Sequence, residues 1–129
     1  MDISKIGKPV TVQELCEMKK KEEEKTRWNV INSIIKCFYN KVIEYAKKND
    51  SKKYCFDIVK ETSFMTDEFI ENNKEDILNT AKLLFPDSKI SFKNYIKHNN
   101  DRHDITDLDE DSKKIFDKNK RILMLVIEW

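Results

Sequence analysis

Glycine and proline are scarce in this chain, which has one glycine, Gly7, and two prolines, Pro9 and Pro86, among 129 residues. The dinucleotide-binding loop G-x-G-x-x-G and the P-loop each need at least two glycines, so both phosphate-binding loops are excluded. Turns must instead rely on Asn, Asp and Ser, whose side chains hydrogen-bond to nearby backbone.

Cysteine is also too sparse to form a disulfide framework. The three cysteines, Cys16, Cys37 and Cys55, are odd in number, widely spaced and form no C-x-x-C pair. This pattern predicts reduced thiols in a non-secreted protein. The N-terminus lacks the apolar segment of a signal peptide, and no apolar run approaches the ~18 residues that span a bilayer. We therefore expect no membrane partner.

A net charge of one sign is missing as well. The chain has 25 Lys and Arg against 24 Asp and Glu, although charged residues make up 38% of it. A balance this even gives no attraction of the whole surface to nucleic acid or anionic lipid. Any such ligand would need a local basic patch.

The most apolar stretch lies at the end of the chain, where residues 122–127 are all apolar. A short run rich in β-branched and aliphatic side chains is typical of a strand covered on both faces. We therefore predict that this strand lies in the middle of a sheet.

A long helix is predicted near the start of the chain, after a short N-terminal arm at residues 1–10. Thr11 and Glu14 have the spacing of a capping box, and the helix should continue to about Asn49. Residues 17–27 are almost entirely charged, so this part should project into solvent or lie on a partner. Residues 28–46 carry a broad apolar stripe of the kind that covers a sheet.

Residues 11–129 are predicted to form a single α+β domain. Alternating patterns at 53–59 and 89–96 predict strands, and residues 66–85 predict a helix interrupted near Asn73. A polar, acidic insertion at 97–120 precedes the final strand. The resulting β-α-β-β order after the long helix predicts a small three-stranded mixed sheet, with the C-terminal strand central.

The acidic insertion contains a partial match to a calcium-binding loop. The spacing of Asp107, Asp109 and Asp111 matches the first half of a calcium-binding loop. However, Ser112 stands where glycine is needed, and Lys118 stands where a bidentate Glu is needed. A solvated acidic loop is the favoured interpretation, and we predict no metal-binding residues.

No catalytic or cofactor-binding residues are predicted. His98 and His103 have no cysteine near them in sequence, so a zinc or catalytic site would need Cys55 to approach them in the fold. Cys37 lies among core residues of the long helix, which favours a small buried side chain over a nucleophile.

A basic cluster lies where the first helix meets the first strand, at Lys47, Lys48, Lys52 and Lys53. With Lys36 and Lys41 it could form a patch for phosphates. The alternative is a solvated helix end whose lysines complement the helix dipole, and we favour it. The sequence shows no platform of aromatic side chains among basic ones, as found in RRM domains.

One pattern in the sequence is similar to that of a known group of proteins. It consists of the helical segment I-I-K-C-F-Y-N-K-V-I-E-Y-A at 34–46, then a strand, a helix and a final I-E-W at 127–129. The pattern resembles short α+β proteins of nucleocytoplasmic large DNA viruses, including the giant viruses of amoebae and algae. The resemblance covers about residues 12–129, and the long acidic insertion departs from it. It implies a small viral protein in the virion or the host cytoplasm and supplies no catalytic residues.

We therefore expect a non-enzymatic structural or protein-interaction protein, a minor virion or capsid-associated component. Its partner would be a capsid protein or a second copy, contacted by the charged helix through Lys20, Glu24 and Arg27. The alternative is a nucleic-acid-binding module that uses the basic surface of residues 36–53. A third hypothesis is a small enzyme or inhibitor whose site assembles only in the fold.

Overall fold

A computed structural model of the chain describes residues 5–62, 65–98, 101–107, 109 and 121–129. The helices and strands follow one another in this order: α1 (Val12–Lys48), β1 (Lys53–Asp57), α2 (Ile58–Thr62), α3 (Asp67–Asn72), α4 (Lys74–Leu84), β2 (Lys89–His98), β3 (Asp101–Asp104) and β4 (Arg121–Glu128). No helix among these residues is long and apolar enough to cross a membrane.

The long N-terminal helix is confirmed. α1 has 37 residues, which corresponds to about 55 Å at the usual rise per residue. The Glu14 amide donates a hydrogen bond of 3.1 Å to the Thr11 hydroxyl oxygen, as the capping box predicts. Lys47 and Lys48 occupy the last turn, where cations stabilise the helix dipole.

The sheet has the strand order β1-β4-β2-β3, so the C-terminal strand is central as predicted. It differs from the prediction in two details. Every neighbouring pair of strands is antiparallel, so the sheet is not mixed. β1 and β2 run parallel to each other, but β4 lies between them and they do not pair. A fourth strand, β3, forms from residues inside the predicted insertion and pairs with the end of β2.

β4 is buried on both faces. Leu123, Leu125 and Ile127 belong to the main core, which lies between the sheet and the helices α1 and α4. Met124 and Val126 point to the opposite face and form a smaller cluster with Tyr95. This strand therefore supplies side chains to two apolar layers. Burying each such side chain contributes about 1.5–3 kcal/mol to the stability of the fold.

Two predicted strand ends shift, and one predicted helix break is confirmed. The strand predicted at 53–59 stops at Asp57, because its carboxylate accepts a hydrogen bond of 3.2 Å from the Lys60 amide and opens α2. The helix predicted at 66–85 breaks into α3 and α4 at Asn73, where the interruption was predicted. The strand predicted at 89–96 continues to His98 to pair with β3. Within the predicted acidic insertion, residues 99, 100, 108 and 110–120 lie outside the described residues.

Candidate interaction surfaces

The first part of α1 packs on none of the other residues that the structure describes. Every residue from 12 to 26 is exposed, and Arg27 is the first that is partly buried. These 15 residues, which we call the helical arm, extend about 22 Å beyond the body at 1.5 Å per residue. The prediction that the charged segment projects from the domain is thus matched by this geometry.

The helical arm is not wholly polar. Val12, Leu15 and Met18 are exposed to 78%, 55% and 51%, and Val10 just before the helix to 44%. At 100° per residue, Leu15 lies about 160° around the helix from the buried Ile31, so this apolar face does not continue the core stripe. Clustered exposed apolar side chains mark contact surfaces.

The base of the arm is fixed by Arg27. Its guanidinium donates to the Glu24 carboxylate at 2.6 and 3.1 Å, to Asp76 at 2.6 Å and to the Asn73 side chain at 2.9 Å. The Trp28 indole donates to Glu24 at 2.9 Å. These bonds join α1 to the start of α4. The hydrogen bond from Arg27 lowers the pKa of Glu24, and Glu24 raises that of Arg27.

The three predicted partner-contact residues are therefore split. Glu24 and Arg27 form bonds within the chain at the base of the arm. Lys20 is exposed in the middle of the arm, but it lies about 140° around the helix from Leu15. The apolar face and the predicted charged face are thus on different sides.

A second apolar surface lies between α1 and α4. An open groove of about 430 Å³ runs along the two helices, which are joined at its end by the Tyr39–Phe85 ring contact at 5.5 Å. Leu83 at its rim is 81% exposed and Leu84 46%. The groove is lined by Asn32, Ile35, Lys36, Tyr39, Thr80, Leu83 and Leu84. The sequence signal for this groove is the run of three consecutive apolar residues at 83–85. A helix that covers a sheet buries only one side, so part of such a run must stay exposed.

The predicted basic cluster is gathered at the far end of α1. Lys47, Lys48, Lys52 and Lys53 are all exposed around the turn into β1. Carboxylates lie close by: Lys48 bonds to Glu44 at 3.1 Å. The hydrogen bond from Lys48 lowers the pKa of Glu44. Part of the positive charge is thus balanced locally.

Aromatic side chains lie within this basic cluster, which the sequence pattern does not predict. The Tyr45 ring is 4.9 Å from Tyr54 and 6.4 Å from Trp129, measured between centroids. The Trp129 amide donates to the Lys52 carbonyl at 2.9 Å, and its side chain is 40% exposed. We call Tyr45, Tyr54 and Trp129 the aromatic cluster. Residues 45 and 54 meet residue 129 here because β4 pairs with β1.

A cavity of about 320 Å³ adjoins the aromatic cluster. It is lined by Tyr45, Ser51, Lys53, Tyr54, Cys55 and Arg102. Arg102 comes from β3, at the opposite edge of the sheet from β1, so the sheet must curl to bring them together. Burial, followed by the charge of Glu61, raises the pKa of Tyr54.

The Cys55 thiol and the His103 imidazole do not form a joint site, and the side chain of His98 lies outside the described part of the chain. Cys55 contacts the Tyr95 hydroxyl at 3.7 Å, so it shares a face of the sheet with Tyr95. His103 pairs with Ile96, the neighbour of Tyr95 in β2, and therefore points to the opposite face. Within the described part of the chain, no three His, Cys, Asp or Glu side chains are placed to hold a metal ion.

A polar cavity of about 320 Å³ lies between α3 and the sheet. It is lined by Asp67, Glu71, Asn94, Ile105, Arg121 and Leu123. Its lining holds two carboxylates but, among the residues described, neither histidine nor cysteine. It therefore does not assemble the site that the third hypothesis requires.

Comparison of the chain with protein-family models, with curated proteins and with solved structures finds no match. The function must therefore be inferred from the surfaces themselves.

Proposed function

We propose that this chain is a non-enzymatic protein-interaction protein, and that its helical arm is the main contact element. The single observation that carries the proposal is the exposure of every residue from 12 to 26 in a helix anchored at its base by Arg27. A short isolated helix is marginal in water, so an arm whose residues are all exposed gains stability from a partner. The location in a virion or host cytoplasm, implied by the resemblance to viral proteins, is part of the same proposal.

The apolar face of the arm supports this function further. Leu15 and Met18 lie on one side with more than half of each residue in solvent. Covering such side chains contributes about 25 cal/mol per Å² of apolar surface removed from water. A helix with one apolar face among charged residues resembles the amphipathic segments that bind in grooves of partner proteins.

The test compares Leu15→Asp with Gln13→Asp. Both residues are exposed on the arm and both changes add one negative charge, but residue 13 lies about 160° around the helix from Leu15. We expect affinity purification of the tagged full chain, read by quantitative mass spectrometry, to lose its partners at least about tenfold with Leu15→Asp only. Untagged copies of the chain, coexpressed with the tagged chain, count as partners. The same recovery for wild type and both variants would overturn the proposal.

A second candidate function, single-stranded nucleic acid binding, is supported by the aromatic cluster inside the basic cluster. Bases stack on exposed aromatic rings while lysines contact the phosphates. The exposed Trp129 and the neighbouring Lys52 and Lys53 have the required chemistry. The carboxylate of Glu44 near Lys48 opposes it. This is why it ranks second.

Fluorescence anisotropy with a labelled single-stranded oligonucleotide tests this candidate. Binding should weaken with salt, and Lys52→Glu or Trp129→Ala should weaken it at least about tenfold. Lys21→Glu, on the arm, is the matched charge control and should change it little. Absence of binding at low salt would contradict the second candidate and leave the first untouched.

A further inference from the structure

We propose that the partner of the helical arm is a second copy of this chain. The arm of each copy would lie in the groove between α1 and α4 of the other, and the two α1 helices would run antiparallel about a two-fold axis. This inference rests on the proposed function and names its partner.

The arm cannot reach the groove of its own chain. Leu15 and Ile35 are both on α1, which is continuous from Val12 to Lys48. They are thus held about 30 Å apart along one helix axis. Only a second molecule can bring an arm to this groove.

One line of exposed residues connects the arm to the groove. Their spacing alternates between three and four residues, which is the 3.5-residue repeat of two helices packed side by side. A line of this period winds gently around a straight helix, as the usual crossing angle of about 20° requires. All members are exposed: Leu15, Met18, Glu22, Lys25, Asn29, Asn32, Lys36 and Tyr39. The last three of them lie along the groove.

A two-fold axis pairs the apolar end of this line with the end that lies along the groove. With the axis between Lys25 and Asn29, Leu15 of one copy lies opposite Tyr39 of the other, and Met18 opposite Lys36. The exposed Leu83 then extends the apolar surface on which Leu15 lands. Because the pairing is reciprocal, both arms and both grooves are covered in one closed dimer.

The polar middle of the line selects the antiparallel direction. In this register Glu22 lies opposite Asn32 and one turn from Lys36, and Lys25 lies opposite Asn29. A parallel pair in register would instead place Glu22 on Glu22 and Lys25 on Lys25. Like charges in contact are destabilising, and polar residues at such positions are known to fix helix orientation.

The length of contact is adequate for a stable dimer. The overlap from Thr11 to Ile43 corresponds to about 50 Å of paired helix. Specific interfaces bury more than about 1,000 Å² in total, which two helices of this length with an added groove can reach. The dimer leaves the basic cluster at the far end of α1 free.

Light scattering coupled to size exclusion, over a concentration series, tests the dimer. Wild type and Gln13→Asp should be dimers, whereas Leu15→Asp and Leu83→Asp should each weaken dimerisation at least about tenfold. Leu15 and Leu83 are 55% and 81% exposed, so both variants should fold. A wild type that is monomeric throughout, or a dimer unchanged by Leu15→Asp, would overturn the proposal.

Mixing the two variants tests the reciprocal geometry. The mixed pair keeps one intact arm–groove contact, from the arm of Leu83→Asp to the groove of Leu15→Asp. We therefore expect more heterodimer than either homodimer, measured by native mass spectrometry. No excess of heterodimer would contradict a contact between arm and groove.

Disulfide cross-linking tests the register. The background is Cys16→Ser, which removes the exposed native thiol. In it, the double variant Lys25→Cys/Asn29→Cys should give covalent dimers on mild oxidation. Gln13→Cys with Lys20→Cys, on the other side of the arm, should not.

The fates of the two proposals can be told apart. A monomer whose arm still captures a different protein, lost with Leu15→Asp, overturns the dimer and supports the proposed function. A monomer with no arm-dependent partner overturns both.

Discussion

At the scale of single residues, Arg27 marks where α1 changes from a solvated helix into a core helix. Its guanidinium spans from Glu24 on the same helix to Asp76 on α4, and the next residue, Trp28, begins the packed stripe. Bidentate arginine–carboxylate bonds carry direction as well as charge. Arg27 therefore ties the base of the arm to α4, while the direction of the arm follows from the continuity of α1.

Replacing Arg27 with Gln should lower the melting temperature, because the bonds to Glu24 and Asp76 are lost. Arg27 lowers the pKa of Glu24 from its ordinary 4.5. A lowered carboxyl pKa stabilises the fold above that ordinary value, and the gain is lost as pH falls through the lower folded value. The difference in melting temperature between wild type and Arg27→Gln should thus be constant from pH 7 to 5 and shrink below about 4.5.

The control for Arg27→Gln is Lys19→Gln. Lys19 is 4.0 Å from Glu23, and its side chain is 81% exposed. Exposed pairs of this kind contribute little, so its melting temperature should match wild type at every pH. An equal effect of the two substitutions would argue against Arg27 as the anchor of the arm.

Phe38 is the residue at the centre of the main core. It is fully buried, with its ring 5.5 Å from that of Phe56 and 5.8 Å from that of Phe85. Phe38→Ala should reduce the free energy of unfolding by about 3–5 kcal/mol, measured by urea denaturation. Asn40→Ala, exposed on the same helix, should stay within about 0.5 kcal/mol of wild type. A small effect at Phe38 would mean that α1 does not hold the core.

At the scale of elements, β4 is the strand on which the sheet depends. It pairs with β1 along one edge and with β2 along the other, and it supplies side chains to both apolar layers. Without it, β1 and β2 would lose their only shared neighbour in the described sheet. The helices would lose the surface on which α1 packs.

Deletion of residues 125–129 should abolish cooperative folding. It removes the paired half of β4 opposite Lys53 to Phe56, and with it Leu125 and Ile127 of the core. Circular dichroism during thermal melting should show no cooperative transition. Deletion of residues 1–10 is the control, since residues 5–10 are exposed, and it should melt like wild type. A cooperative transition in the 125–129 deletion would contradict the central role of β4.

At the scale of the whole molecule, α1 belongs to two environments. Its second half is part of the core, while the arm and the groove give the chain apolar surface at two places about 30 Å apart. Unpacked helix opens locally at little cost, whereas core helix opens only with global unfolding. The chain should thus show two levels of stability along one continuous helix.

Hydrogen exchange should resolve these two levels. In the Leu15→Asp variant, amides of residues 16–26 should exchange at least about a hundredfold faster than those of residues 31–42, because only the latter pack on the sheet. In wild type, protection of residues 16–26 should rise with protein concentration as the dimer forms. Uniform protection along α1 in the variant would contradict an unsupported arm.

The sequence alone determined the local and patterned features of this protein. The capping pair Thr11 and Glu14 places the start of α1, and the apolar run 122–127 predicts a strand with two buried faces. Such a strand is typical of the middle of a sheet, and the structure places it there. The helix break at Asn73 and the projection of residues 17–27 also follow from local composition.

Tertiary structure decided which distant residues meet. The antiparallel order β1-β4-β2-β3 brings Trp129 beside Tyr45 and Tyr54, and the curl of the sheet brings Arg102 toward Cys55. Packing of α4 against α1 directs Arg27 to Asp76 and leaves Leu83 and Leu84 along an open groove. Residue spacing specifies which face of one element is apolar. The neighbour of that face depends on strand pairing and helix packing, which are long-range contacts that no local pattern encodes.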